Sequence, residues 1–213
     1  DYQGRWHVDV NDLQRKLTPR TRAILMVNPN NPTGSFVSAD EFDFVTNLCR
    51  KYDLALIVDE VFLTYPMPIR SMRMSVLSRT SEVLTFSLGG LSKAVGLPQI
   101  KLGWITVGGP SVVVKRALSR LELICDTYLS VGTPGQIASP QLFRAGVVVA
   151  DQIRTRVRAN HGKLSQLVSG YQSVQLLAVD GGWYAVLQVP TTQSEEELVL
   201  VLLERDRVLV HPG

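Results

Sequence analysis

The sequence predicts an α/β fold, a mostly parallel sheet with helices on both faces, followed by the start of a smaller α+β domain. Three observations carry that expectation. Short, largely apolar runs rich in β-formers recur at 23–27, 55–58 and 83–88, as in buried strands of a sheet. An amphipathic segment separates the first two, so strand and helix alternate as in parallel βαβ units. After Ser173 the strand-like runs are broken by glycine, which marks a change of architecture.

Each element has a local reason. Residues 10–17 have helical periodicity with Asn11 as the expected cap, and Pro19 stops them. Asn28-Pro29-Asn30-Asn31-Pro32-Thr33-Gly34 is turn chemistry throughout. Ser38-Ala39-Asp40-Glu41 has the spacing of a capping box and opens a helix to Tyr52, with Phe42, Val45, Leu48 and Cys49 on one face. The strand at 55–58 ends in Asp59-Glu60, and Tyr65-Pro66-Met67-Pro68 punctuates the loop beyond it. The run 83–88 leads into Gly89 and Gly90, which permit a sharp turn or a close approach to a ligand.

A fourth strand is expected over 102–107, closed by Gly108-Gly109-Pro110, then a helix over 112–124. A long helical pattern over 136–167 is expected to break or bend near Pro140 and Gly146. Strands at 174–179 and 183–189 are joined by a hairpin signal at Asp180-Gly181-Gly182. A helix over 195–204 and a strand over 208–210 complete the reading. The expected organisation is residues 1–133 as part of a large domain, 134–170 as a long connecting helix region, and 171–213 as a partial small domain.

Composition narrows the function. With 45% hydrophobic residues in a chain of 213, a substantial core is expected. The net charge of +3 comes from dispersed groups with no basic run interleaved with aromatics, so no nucleic-acid partner is expected. The arginines of 154–158 fit the polar face of a helix. No apolar run reaches the roughly 18 residues of a membrane span. Cys49 and Cys125 are far apart, without metal-ligand spacing, and read as reduced core residues of a cytoplasmic protein. His7, His161 and His211 have no partners at catalytic or metal spacing, and Trp104 and Trp183 read as core or crevice-lining aromatics. The chain opens on Asp1 rather than methionine and is expected to be part of a longer protein.

In an open parallel sheet, ligands bind beyond the carboxyl ends of the strands. Here those ends deliver the loop Asn28 to Gly34, Asp59 and the loop Gly89 to Lys93, which together supply an asparagine, a carboxylate and an amine. A lysine just past a buried strand is partly desolvated, which favours the neutral amine that attacks a carbonyl. Taken singly, each residue has a plainer alternative: a solvated loop lysine, a carboxylate capping the next helix, a turn asparagine.

Together, Asn-Pro-x-Asn-Pro-Thr-Gly at 28–34, Asp-Glu-Val-Phe at 59–62 and Leu-Ser-Lys-x-x-Gly-Leu-Pro at 91–98 resemble the class I/II pyridoxal-phosphate (PLP) aminotransferases of fold type I. The similarity continues to Gly181-Gly182-Trp183-Tyr184 and Val210-His211-Pro212-Gly213. The resemblance implies that Lys93 holds PLP as an aldimine and then moves the substrate proton. It implies that Asp59 pairs with the pyridine nitrogen and that Asn31 donates to the phenolic oxygen. It further implies amino-acid and 2-oxo-acid substrates and a homodimer.

Three positions depart from the family pattern. Phe62 stands where a tyrosine is common, so its hydrogen bond is lost unless Tyr65 supplies it. Lys101 stands where an arginine grips the phosphate, and keeps the charge without the planar fork. Gly90 replaces a serine, leaving Ser92 or Ser87 as substitutes. The family's phosphate loop and ring-stacking aromatic precede the stretch matched here, and its substrate-carboxylate arginine follows Gly213. Two alternatives share the fold: a PLP-dependent carbon–sulfur β-lyase, and the PLP-binding effector domain of a transcription regulator.

Overall fold

The computed structural model describes residues 1–67, 75–79, 82–128 and 130–213. Four strands form the main sheet in the order β1 (Ala23–Val27), β2 (Ala55–Asp59), β3 (Thr85–Gly90) and β4 (Gly103–Gly108). The first three are parallel, and β4 runs antiparallel to β3. The reason lies in the connection. Between β3 and β4 the chain holds only α3 (Leu91–Ala94) and a short 3-10 turn at Pro98–Ile100, too little for the crossover that a parallel partner needs.

The helix α2 (Ala39–Tyr52) crosses from β1 to β2. Ser38 and Glu41 form the expected capping box. Its apolar face, Phe42, Val45, Leu48 and Cys49, packs on Ile24, Leu56, Val58 and Val83 to make the core. Glu41 also accepts from Arg5 Nη2 and from the Val8 amide, both at 2.9 Å, and so ties the N-terminal segment to α2. Burial alone would raise the Glu41 carboxyl, but the Ser38, Val8 and Arg5 hydrogen bonds outweigh it and hold it below the ordinary value. His7 lies in the same cluster: Arg5 Nε donates to its Nδ1 at 3.2 Å.

Several expectations are corrected. The first helix, α1 (Val10–Arg15), is capped by Asp9, whose carboxylate accepts from the Asp12 amide, and not by Asn11. Cys49 is buried, but Cys125 is exposed on α4 (Ser111–Thr127). The long helix α5 (Thr133–Val168) is continuous through Pro140 and Gly146. Gly146 packs against Val95, so α5 braces the turn that carries Lys93. Beyond it, β5 (Gln175–Leu176) and β6 (Leu187–Gln188) are only two residues each. The helix α6 (Glu195–Val201) runs into a π-helical turn, and no strand forms over 208–210. Pro68, read above as punctuation, lies outside the described residues.

Candidate active site

The carboxyl ends of β1, β2 and β3 are in register, with Val27 beside Asp59 and Asp59 beside Leu88. Backbone pairing continues one step further: the Asn28 amide donates to the Asp59 carbonyl at 2.8 Å, and the Glu60 amide to the Leu88 carbonyl at 3.0 Å. Neighbouring strands lie about 4.8 Å apart. The loop 28–34, Asp59 and the turn bearing Lys93 therefore share one edge of the sheet.

Lys93 does not lie in a glycine-opened loop. The strand β3 runs through both glycines, and Lys93 sits on the single helical turn α3. Gly90 is extended at φ −172°, a conformation open to any residue. Gly89 is required by packing instead: a Cβ there would lie 2.4 Å from the indole of Trp104. The half-buried Lys93 Nζ lies 4.6 Å from the ring centre of Trp183 and 5.4 Å from that of Phe62. Among the described residues it forms no ion pair. Asp59 is also half-buried; its Oδ1 accepts from the Val61 amide at 3.0 Å, and no cation among the described residues pairs with it.

Phe62 is 4% exposed and meets Trp183 edge-on at 5.3 Å, with Tyr65 and Tyr184 completing an aromatic cluster. The hydroxyl of Tyr65 is committed: it donates to the Lys93 carbonyl at 2.6 Å. Burial pushes the Tyr65 phenol up, with the Arg154 charge opposing. Arg154 and Arg158 do more than solvate a helix face. They donate to the carbonyls of Thr64 and Pro66, at 3.3 and 3.2 Å, and clamp the loop after β2 onto α5.

Asn31 stands exposed at the tip of its loop, with no side-chain hydrogen bond among the described residues. The loop's base is fixed by Asn28, whose Oδ1 accepts from the Val37 amide, and by Asn30, which donates to Thr33 Oγ1 at 2.8 Å. Lys101 is exposed in the left-handed region at φ 54°. Ser92 is half-buried, and its hydroxyl has no hydrogen bond among the described residues. Ser87 is not available as a substitute, because its Oγ donates to Glu60 Oε2 at 2.6 Å.

Two features were not legible beforehand. Glu60 is 7% exposed and accepts from Ser75, Ser87 and the Val76 amide, so the Asp59-Glu60 pair splits into one open carboxylate and one structural one. Strand alternation was the available signal, since adjacent residues face opposite sides of a sheet. The second is the turn at 180–182. It closes no tight hairpin. The Asp180 and Gly181 amides both donate to the Gly34 carbonyl, at 3.0 and 2.8 Å, the Gly182 amide donates to the Tyr65 carbonyl, and the Met67 amide to the Asp180 carbonyl, each at 2.8 Å. Nothing local in the sequence signals this long-range docking.

The family model of aminotransferase class I and II matches residues 1–213. The chain belongs to this family. This aminotransferase-family chain is 24% identical over its whole length to the glutamate-pyruvate aminotransferase AlaA of Escherichia coli, covering 54% of that protein. It is 27% identical to an alanine aminotransferase of Mycobacterium tuberculosis, covering 98% of this chain and 50% of that one. The chain thus spans about half the length of the curated relatives it matches. An alanine aminotransferase structure from Pyrococcus furiosus superposes with a TM-score of 0.81 at 24% identity, over 96% of this chain and 52% of that one. The likeness extends to the α/β fold with its mostly parallel sheet.

Proposed function

We propose that the protein is a PLP-dependent aminotransferase, moving an amino group between an amino acid and a 2-oxo acid, with Lys93 as its catalytic residue. The observation that carries this reading is the pair of half-buried charges, Lys93 and Asp59, neither with an ion-pair partner among the described residues, at one sheet edge in a chain of this family. Half-buried ionised groups without partners are costly, and a bound group that completes both relieves the cost. The donor set fits PLP, which offers an aldehyde to the amine, a basic ring nitrogen to the carboxylate and a phosphate to Lys101. When bound, PLP supplies an electron sink for the substrate carbon that loses its proton.

The chain's own residues do the rest. Lys93 would hold the aldehyde covalently and, once displaced from it by the substrate amine, would take a proton at Nζ as base and return it as acid. Asp59 would keep the ring nitrogen protonated. The Asn31 amide would donate to the ring oxygen. Lys101 would offer the phosphate a point charge, and Ser92 would add a hydroxyl. Phe62 is an apolar wall that excludes water but donates nothing.

Glutamate and pyruvate are the substrate pair to try first, given the names of the relatives. The reading also takes the protein to be a cytoplasmic homodimer, with 1–133, 134–170 and 171–213 as its successive parts. The deciding experiment expresses the complete open reading frame with PLP and compares wild type with Lys93→Ala. Wild type should carry an absorbance band of covalently held PLP and transfer the amino group. The variant should lose the band and fall in rate by at least about 10²–10⁴-fold, the span of a lost general acid–base group. Undiminished transfer by Lys93→Ala overturns the reading.

A further inference from the structure

We infer that Gly34 and Trp183 are positioning residues for Lys93: Gly34 lets the turn at 179–182 dock, and the docked turn lays the Trp183 indole against the Lys93 ammonium. The inference rests on the reading of Lys93 as the cofactor-holding amine.

The geometry is specific at each step. Gly34 has φ +66°, in the region that favours glycine. A Cβ there would lie 2.1 Å from Val179 Cγ2 and 2.5 Å from the Gly181 carbonyl oxygen. No side chain fits between these two strands of contact. The Gly34 carbonyl then accepts both the Asp180 and the Gly181 amides. Asp180 Oδ2 closes the junction from the other side, accepting from the Phe36 amide at 3.2 Å. The next residues are fixed in turn by the Gly182 amide on the Tyr65 carbonyl.

Trp183 follows directly. Its indole N–H is buried without a hydrogen-bond partner among the described residues, so no polar contact of its own anchors the ring. The ring is held by the docked backbone and by edge contacts with Phe62 at 5.3 Å and Tyr65 at 5.1 Å. What it presents to Lys93 is a π face, 4.6 Å from Nζ. A partly desolvated ammonium over an indole is attracted by the ring quadrupole, and tryptophan is the strongest partner of this kind. Lys93 otherwise has several rotatable bonds and, among the described residues, no ion pair to choose among them. The indole selects one placement, beside the sheet edge that holds Asp59.

The glycine that ends the Asn-Pro-x-Asn-Pro-Thr-Gly motif therefore acts on the lysine of the Leu-Ser-Lys motif through a turn about 150 positions away in sequence. The relay gives the Gly-Gly-Trp stretch a role that its glycines alone, as a turn, do not explain.

The test is a pulse of PLP on the complete, cofactor-stripped protein, trapped with borohydride. The lysine amine condenses with the aldehyde and releases water, and hydride reduces the C=N bond to a stable mark. Peptide mass spectrometry then reports the marking rate at Lys93 against Lys115, exposed on α4, as internal reference. Wild type should mark Lys93 selectively. Trp183→Leu keeps apolar bulk but no π face, so Lys93 Nζ is no longer held in one placement, and marking there should slow several-fold as orientation is lost. Trp183→Phe keeps a π face and should recover most of the rate. Gly34→Ala should match Trp183→Leu. Where Gly34→Ala fails to fold, as judged by circular dichroism, the Leu and Phe pair decides alone. Selective wild-type marking with equal rates in Leu and Phe overturns the inference, as does a folded Gly34→Ala that marks like wild type. Wild type that marks Lys93 no faster than Lys115 overturns the cofactor reading itself.

Discussion

Tyr65 Oη donates a 2.6 Å hydrogen bond to the backbone carbonyl of Lys93. A buried phenol on the loop after β2 thus holds the main chain at the residue proposed as the nucleophile. The backbone of Lys93 is fixed by this bond, while its side chain lies over the Trp183 ring with no ion pair among the described residues.

Removing that hydroxyl gives the first prediction. Tyr65→Phe preserves the ring contacts but leaves the Lys93 carbonyl without this donor, at a cost of about 1 kcal/mol. Thermal melts should show a fall in Tm of roughly 2–4 °C for a chain of this size. The pH dependence has a definite sign. Burial raises the Tyr65 phenol above its ordinary 10.0, so the linked stability is fully present below that pH and lost as pH rises past it. Wild type should therefore lose stability above pH 10 more steeply than Tyr65→Phe; parallel curves would detach the phenol from that loss.

The two cysteines should separate kinetically. The thiolate is the reactive form. Burial pushes the Cys49 thiol up to about 11, whereas Cys125 is exposed. Titration of this chain with a chromogenic disulfide at pH 8 should show one thiol reacting at once and the second only on addition of denaturant. Two fast thiols would mean that the face of α2 bearing Cys49 opens readily.

Glu60 carries a stability prediction distinct from chemistry. Its carboxylate is shared by Ser75 Oγ and Ser87 Oγ, both at 2.6 Å, and by the Val76 amide at 2.8 Å. Glu60→Ala removes the acceptor from all three and should cost about 3 kcal/mol. Glu60→Gln retains one carbonyl oxygen and most of the volume, and should cost markedly less. Denaturant unfolding separates the two, and equal midpoints would refute the network's contribution.

What the sequence made legible follows the range of the interaction responsible. The strands β1 and β2 and the capping box of α2 rest on contacts within a few residues, and they appear where periodicity puts them. The convergence of the loop 28–34, Asp59 and Lys93 follows from parallel register, which the alternation of elements implies. The misses are long-range or local ties. Asp9 and Asn11 are both competent caps, and the choice between them depends on where the first helical turn closes. The run 208–210 is apolar and β-branched but finds no strand to pair with, so it stays irregular. From sequence Trp183 reads as a core or crevice-lining aromatic; its contact with Lys93 depends on backbone docking at Gly34, which no local pattern records.

Lys101 yields the last prediction. It is exposed, with a left-handed backbone at φ 54° and no ion pair among the described residues. Lysine and arginine tolerate that backbone equally, so Lys101→Arg should leave the melting temperature nearly unchanged. Their head groups differ. A guanidinium offers two parallel donors to a phosphate, whereas an ammonium offers a single charge. On the proposed reading, Lys101→Arg should bind PLP several-fold more tightly, about 1 kcal/mol, and Lys101→Gln should bind it more weakly. Fluorescence titration of the cofactor-stripped protein measures both. The difference between lysine and glutamine should shrink as salt is raised, because the charge of an exposed lysine is screened. If glutamine binds as tightly as lysine at low salt, the phosphate lies elsewhere, and the departure at position 101 is a surface change of no consequence for the cofactor.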